Sequence, residues 1–135
     1  MASQLKVDTI TGVTTAGSVA VTGEGNSTTT NLQQGLGKTW LNMNGTGTVA
    51  ARDSFNSSGI TDNGTGHYIN SLTNSMANTN YAGAGESGTL GATGDTMMVA
   101  TIGRSTGSVR ASNYSDGGAV ADRDLFCMII MGDLA

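Results

Sequence analysis

Apolar and polar residues alternate with a period of two along much of this chain, and no long stretch follows the 3.6-residue period of an amphipathic helix. The first alternation covers residues 5–10, where Leu5, Val7 and Ile10 are the apolar members, and a second covers residues 18–22 with Val19 and Val21. Two isolated strands do not hold together in water. These five apolar residues are therefore expected to be buried against neighbours, and residues 1–35 read as an anchoring or assembly arm whose end, 23–31, is a flexible Gly/Ser/Thr connector. Residues 36–135 read as a separate display domain. Strands are predicted over 38–43, 49–55, 59–62, 67–72, 97–102, 108–114 and 125–131. Residues 81–93 read as a glycine-rich loop or weak strand, and 72–78 as a possible helical turn. The strongest local signal is the turn at Asp62, Asn63 and Gly64, because Asn-Gly supplies the positive φ that tight hairpins require. Short strands, Gly-rich turns and no long helix predict an all-β fold, an antiparallel sandwich or jelly roll preceded by an extended β arm. The last strand, almost continuous in Leu, Phe, Cys, Met and Ile, is expected to have both faces covered, by a central position in the sandwich or by burial at a subunit interface.

Composition sharpens this picture. Only 37% of the 135 residues are hydrophobic and 12% charged, with 21 glycines and no proline. The apolar share is below that of an ordinary globular domain. A single copy should have a thin core, and self-association is a way to complete it. A net charge of −4 with six Lys and Arg residues argues against nucleic acid as a partner, because duplex affinity rests on cations neutralising phosphates. No segment approaches the roughly 20 apolar residues of a membrane span, and the first residues lack the apolar run of a signal peptide, so a soluble protein made in a cytoplasm is expected. The single cysteine, Cys127, reads as a small buried hydrophobe, and the seven methionines as core and interface filler.

Candidate chemistry fails residue by residue. Residues 35–39 end like a phosphate-binding loop, but Leu32 stands where that pattern requires glycine. The single histidine, His67, has no second imidazole to help complete a triad or zinc site, and reads as a turn-flanking polar residue. The carboxylates are scattered, and Asp62-Asn63-Gly64 lacks the spaced acidic ligands of a calcium loop, so the aspartates read as Asx-turn formers. Arg52 with Asp53, and Arg123 between Asp122 and Asp124, read as surface or interface pairs worth at most about 1 kcal/mol each. No catalytic residue, cofactor or metal is expected. A sugar-stacking platform of Trp40, Tyr68, Tyr81 and Tyr114 is the one binding alternative that the composition offers.

Residues 40–81 resemble a module that recurs at the ends of tail fibres and other surface proteins of marine bacteriophages, in the form W-x-N-x-N-G-T-G, then R-x-S-F-N, then I-T-D-N-G-T-G-x-Y. Trp40, Asn44, Arg52, Phe55, Tyr68 and Tyr81 fall in order on that pattern, with Met43 and Leu72 where it usually carries aromatics. The opening MASQLKVDTI resembles the start of fibre and virion proteins of the same viral group. The resemblance implies a non-enzymatic virion structural protein. Its leading form is a homotrimeric capsid decoration protein held by its arm to the major capsid protein, and the alternative is a tail-fibre or receptor-binding tip held by tail proteins. A host surface glycan is a possible further partner. It also implies that Trp40 is a core residue whose loss opens a cavity.

Overall fold

A computed structural model describes residues 4–12, 19–22, 29–91, 97–115 and 117–135, for 97–102 the backbone alone. The chain divides into two compact units, Met1–Leu36 and Gly37–Ala135.

In the first unit, β1 (Ala20–Thr22) pairs antiparallel with β2 (Thr29–Asn31), Val21 opposite Thr30. A single turn, α1 (Leu32–Gly35), follows, its N-terminus capped by Asn31 Oδ1, which accepts from the Gln34 N–H at 3.0 Å. The end of the expected connector is thus a strand, because Thr29 and Thr30 are β-branched and Asn31 is a natural cap; residues 23–28 lie outside the described chain. Residues 4–12 join no ladder.

The second unit is one antiparallel sheet of eight strands: β3 (Gly37–Asn44), β4 (Ala50–Phe55), β5 (Ser57–Asp62), β6 (His67–Leu72), β7 (Ala82–Gly88), β8 (Met97–Arg104), β9 (Ser108–Tyr114) and β10 (Leu125–Met131), ordered β4-β3-β10-β7-β8-β9-β6-β5. Its two edge strands are consecutive in the chain and separated by Asn56 alone. A flat eight-stranded sheet would hold its edges about 34 Å apart, and a one-residue link spans about 7 Å. The sheet therefore curls back on itself and encloses its inner face, giving the all-β, sandwich-like fold. Asn56 makes the corner with φ of +56°, a conformation Asn tolerates better than most residues. Its Nδ2 donates to the carbonyls of Lys38 and Asn74, both at 3.0 Å, and its Oδ1 accepts from the Asn74 N–H at 2.7 Å. One side chain thus ties the two halves together. Register slips in the β3–β4, β3–β10, β5–β6 and β8–β9 ladders add the local bends that closure needs.

The enclosed core comprises Leu41, Met43, Tyr68, Leu72, Met76, Tyr81, Val109, Ala111, Phe126, Met128 and Ile130. Tyr68 meets Phe126 edge to face, centroids 5.3 Å apart. Met43 and Leu72 are both buried here. Of the stretch 81–93, residues 82–88 form the strand alternative, β7, and residues 92 and 93 lie outside the described residues. Residues 73–80 form no helix. Their backbone bonds run to distant segments, Met76 N–H to the Thr106 carbonyl at 2.7 Å and Ala77 N–H to the Asp133 carbonyl at 2.8 Å. In the single chain one face of β10 is covered: Phe126, Met128 and Ile130 face the core, while Ile129 and Met131 stand exposed on the outside.

Candidate assembly surface

The residues singled out by sequence separate into a hydrogen-bonded knot at the β5–β6 turn and an outer face. In the knot, the hairpin between β5 and β6 places positive φ on Gly64 (+101°) and Gly66 (+67°), with Asp62 Oδ1 accepting from the Gly64 N–H at 2.9 Å and Asn63 N–H donating to the His67 carbonyl at 2.9 Å. Asp62 is an Asx-turn former, and the glycine of Asn63-Gly64 supplies the positive φ expected of that pair. Gly66 N–H reaches Asp122 Oδ1 at 2.7 Å, and the Tyr68 hydroxyl donates toward the same oxygen at 2.8 Å, with the Gly45 carbonyl 3.0 Å away. Gly45 N–H in turn donates to the Arg123 carbonyl at 2.8 Å. A Cβ on Gly66 would press on the backbone of Ala121 and Asn113 at 2.8–2.9 Å, so glycine is required there both by φ and by space. Burial, reinforced by the bond to Asp122, pushes the Tyr68 phenol far above its ordinary value and keeps it a proton donor.

Asp122 is accordingly the acceptor that ties the Gly66 turn and the Tyr68 hydroxyl together, and Asp124 Oδ1 accepts from the Leu90 N–H at 3.0 Å. Asn44 closes its own turn, its Oδ1 accepting from the Thr46 N–H at 3.1 Å. His67 Nδ1 lies 2.6 Å from Ser112 Oγ on the neighbouring strand β9, as a turn-flanking residue of the ladder. Tyr81 is buried, with the Arg104 guanidinium 5.3 Å from its ring centroid and donating to its carbonyl at 2.6 Å. Burial raises the Tyr81 phenol, and Arg104 opposes the rise. With Tyr68 and Tyr81 in the core, the four-aromatic sugar platform does not form.

The outer face is the larger correction. Trp40 is 37% exposed and Phe55 51% exposed, so neither is a core residue. Both lie on the face of β3 and β4 opposite to Leu41 and Met43, and strand alternation makes that choice for them. Cross-strand pairing sets Phe55 opposite Trp40, Trp40 opposite Ile129, and Ile129 opposite Ala84, giving one apolar row across β4, β3, β10 and β7. Met131 continues it along β10, also exposed. Two residues along lies a parallel polar row, Asp53, Asn42, Cys127 and Glu86. Arg52 lies over it, donating to the Met43 carbonyl at 2.8 Å, while Asp53 Oδ1 accepts from the Ser54 N–H at 2.8 Å.

A groove of about 500 Å³ runs over β10 in this face, lined by Trp40, Asn42, Ala84, Glu86, Cys127 and Ile129 among others. It exists because β7 begins Ala82-Gly83-Ala84-Gly85, residues too small to fill the space beside Trp40. Cys127 lies half-buried in its floor rather than in the core. Burial, with Glu86 adding and Arg52 opposing, pushes its thiol up, so it stays protonated at neutral pH.

The sheet edges are less inviting than this face. β4 carries a register slip at Arg52 and β5 one at Ser58, and bulged, charged edges resist strand addition. In the first unit the arm residues Leu5, Val7 and Ile10 are exposed, Leu5 by 79%, while Val21 is exposed and Val19 half-buried. Among the described residues, no helix is long and apolar enough to cross a membrane. The fold and surface together define an all-β protein with an exposed apolar sheet face and an exposed apolar arm. No protein-family model, curated protein or solved structure matches this chain.

Proposed function

We propose that this chain is a non-enzymatic structural protein of a bacteriophage virion, a homotrimeric capsid decoration protein anchored through its N-terminal arm. The observation that carries the reading is the exposure of two apolar surfaces in the single chain: the arm with Leu5, Val7 and Ile10, and the row Phe55, Trp40, Ile129 and Met131. Contiguous apolar surface of this kind marks a site of protein association. The phage-module resemblance adds to it, since Asn44, Tyr68 and Tyr81 of that pattern serve the turn and core that any display domain of this shape requires. Mixed bulges at the edges favour association through the sheet face over edge-to-edge addition.

A tail-fibre tip is the second reading, favoured by one feature, the exposed Trp40 ring beside Asn42 and Glu86, a combination suited to stacking on and hydrogen-bonding a sugar. Cryo-electron microscopy of virions with and without residues 1–22 of this protein tests both. The decoration reading expects regular density on the capsid that disappears with the truncation. Density confined to the tail, or capsid density that survives the truncation, overturns it.

A further inference from the structure

The tetrapeptide Asn-Gly-Thr-Gly occurs twice in this chain, at 44–47 and at 63–66. In an unfolded chain the two copies are chemically near-equal, because glycine after asparagine leaves the following amide nitrogen unhindered for attack on the side-chain amide. The fold treats them differently. Asn44 is held at both atoms of its amide: Oδ1 accepts from the Thr46 N–H at 3.1 Å and from the Thr46 hydroxyl at 2.8 Å, and Nδ2 donates to the Thr46 carbonyl at 2.9 Å. Gly45 is buried, its N–H donating to the Arg123 carbonyl at 2.8 Å, and a Cβ on it would press on the Tyr68 hydroxyl. Asn63, by contrast, is exposed, and among the described residues none is bonded to its side chain. Gly64 is exposed as well, with φ of +101° and open space where a Cβ would stand. Its N–H points at a carboxylate, donating to Asp62 Oδ1 at 2.9 Å.

We propose that Asn63 is a site of spontaneous modification, converted to aspartate and isoaspartate with Asp62 as general base, while the fold spares Asn44. The Gly64 nitrogen attacks Asn63 Cγ as its proton passes to Asp62 Oδ1. A bond forms between that nitrogen and Cγ, the bond from Cγ to Nδ2 breaks, and Nδ2 leaves as ammonia, taking the proton from Asp62. The product is a cyclic imide. Water then opens it: addition at Cγ breaks the new bond and leaves aspartate, and addition at the main-chain carbonyl carbon of residue 63 breaks the peptide bond to Gly64 and leaves isoaspartate. The sum is water consumed and ammonia released, with no change of oxidation state. A backbone amide is a poor nucleophile until its proton is taken, which a carboxylate does far better than the neutral Arg123 carbonyl that faces Gly45. Either product adds a negative charge beside Asp62 to a chain of net charge −4. Isoaspartate also lengthens the main chain by a carbon inside the hairpin that the Asn63 and His67 N–H groups close, each at 2.9 Å. The tip thus grows more acidic with the age of the protein.

The duplicated tetrapeptide supplies its own control. The full chain is aged in neutral to mildly alkaline buffer made with isotope-labelled water, folded in one sample and unfolded by urea in another, and both are digested and mapped by mass spectrometry. The expected result is labelled aspartate and isoaspartate at position 63 of the folded protein with Asn44 intact, and conversion at both positions in urea. Asp62→Ser keeps a side-chain oxygen for the turn but no carboxylate, and is expected to slow the folded reaction at 63 by about tenfold or more, general-base assistance being worth roughly 10²–10⁴-fold. In urea, where no base is held against the amide, the same variant should change the rate at 63 little. Asn44 gauges the fold throughout: a slower reaction at 63 with Asn44 still intact isolates the lost base from a loosened domain. Should Asp62→Ser expose Asn44, Asp62→Asn, which keeps the shape of the turn, takes its place. Equal conversion of 44 and 63 in the folded protein, an Asn63 that converts only in urea, or an undiminished rate at 63 without the carboxylate overturns the inference.

Discussion

The two faces of β10 carry almost the same chemistry and meet opposite fates. Phe126, Met128 and Ile130 are buried inside the curled sheet, while Cys127, Ile129 and Met131 alternate with them on the outside, half-buried or exposed. The neighbouring β3 repeats the contrast, Leu41 and Met43 inside against Trp40 outside. Hydrophobicity alone does not separate core from interface. The closure of the sheet at Asn56 determines which face is interior, and whatever apolar surface remains on the other face is available to a partner.

The contrast is broken most severely by truncating its two sides in turn. Phe126→Ala removes a ring in contact with Tyr68 and is expected to cost about 3–5 kcal/mol of unfolding free energy, the usual penalty for a buried aromatic. Trp40→Ala, on the outer face, is expected to cost less, about 1–2 kcal/mol in the dissociated chain, because more than a third of the residue is already in water. Urea unfolding of both variants at a concentration where the chain is monomeric measures the difference. Equal losses would mean that the outer face is as much core as the inner.

Between these lies Tyr68→Phe, which removes the hydroxyl that joins Asp122 to the Gly45 carbonyl and is expected to cost about 2 kcal/mol, the net worth of a hydrogen bond to a charged acceptor. The same change carries a pH signature. The folded Tyr68 phenol titrates above its ordinary value of 10.0 and the unfolded one near it, so its contribution is complete below that pH and is lost as pH rises above it, where unfolding gains from ionisation. The stability of the native chain should therefore fall more steeply above pH 10 than that of Tyr68→Phe. Parallel alkaline slopes in urea melts would place the phenol in contact with solvent.

Much of the strand pattern was legible in the sequence because period-2 alternation and Gly-rich turns act locally: the strands at 38–43, 49–55, 67–72, 108–114 and 125–131 and the turn at Asp62 to Gly66 stand close to where residue order predicts them. The glycine-rich β7 was ambiguous, since Ala and Gly carry little strand preference and its pairing with β10 is a tertiary effect. What alternation cannot reveal is which side becomes the inside. Trp40 and Phe55 have the composition of core residues, and only the register Phe55–Trp40–Ile129 shows that they share a face turned outward. Asn56 and Asp122 were likewise invisible, as their partners lie up to 56 residues away in sequence. Asn56 offered one local signal, an Asn between two strands with no glycine to take the corner.

The central claim is that the outer face is covered by another copy, and the single tryptophan reports on it directly. Acrylamide quenching of Trp40 emission, followed from concentrated to dilute protein with the molecular mass recorded in parallel, is the most immediate test. Shielding of Trp40 at concentrations where the chain associates, with greater accessibility on dilution to the monomer, is the result predicted here. Quenching that is the same in the associated and monomeric states would contradict it, since the apolar row would then remain in water whatever the chain assembles with.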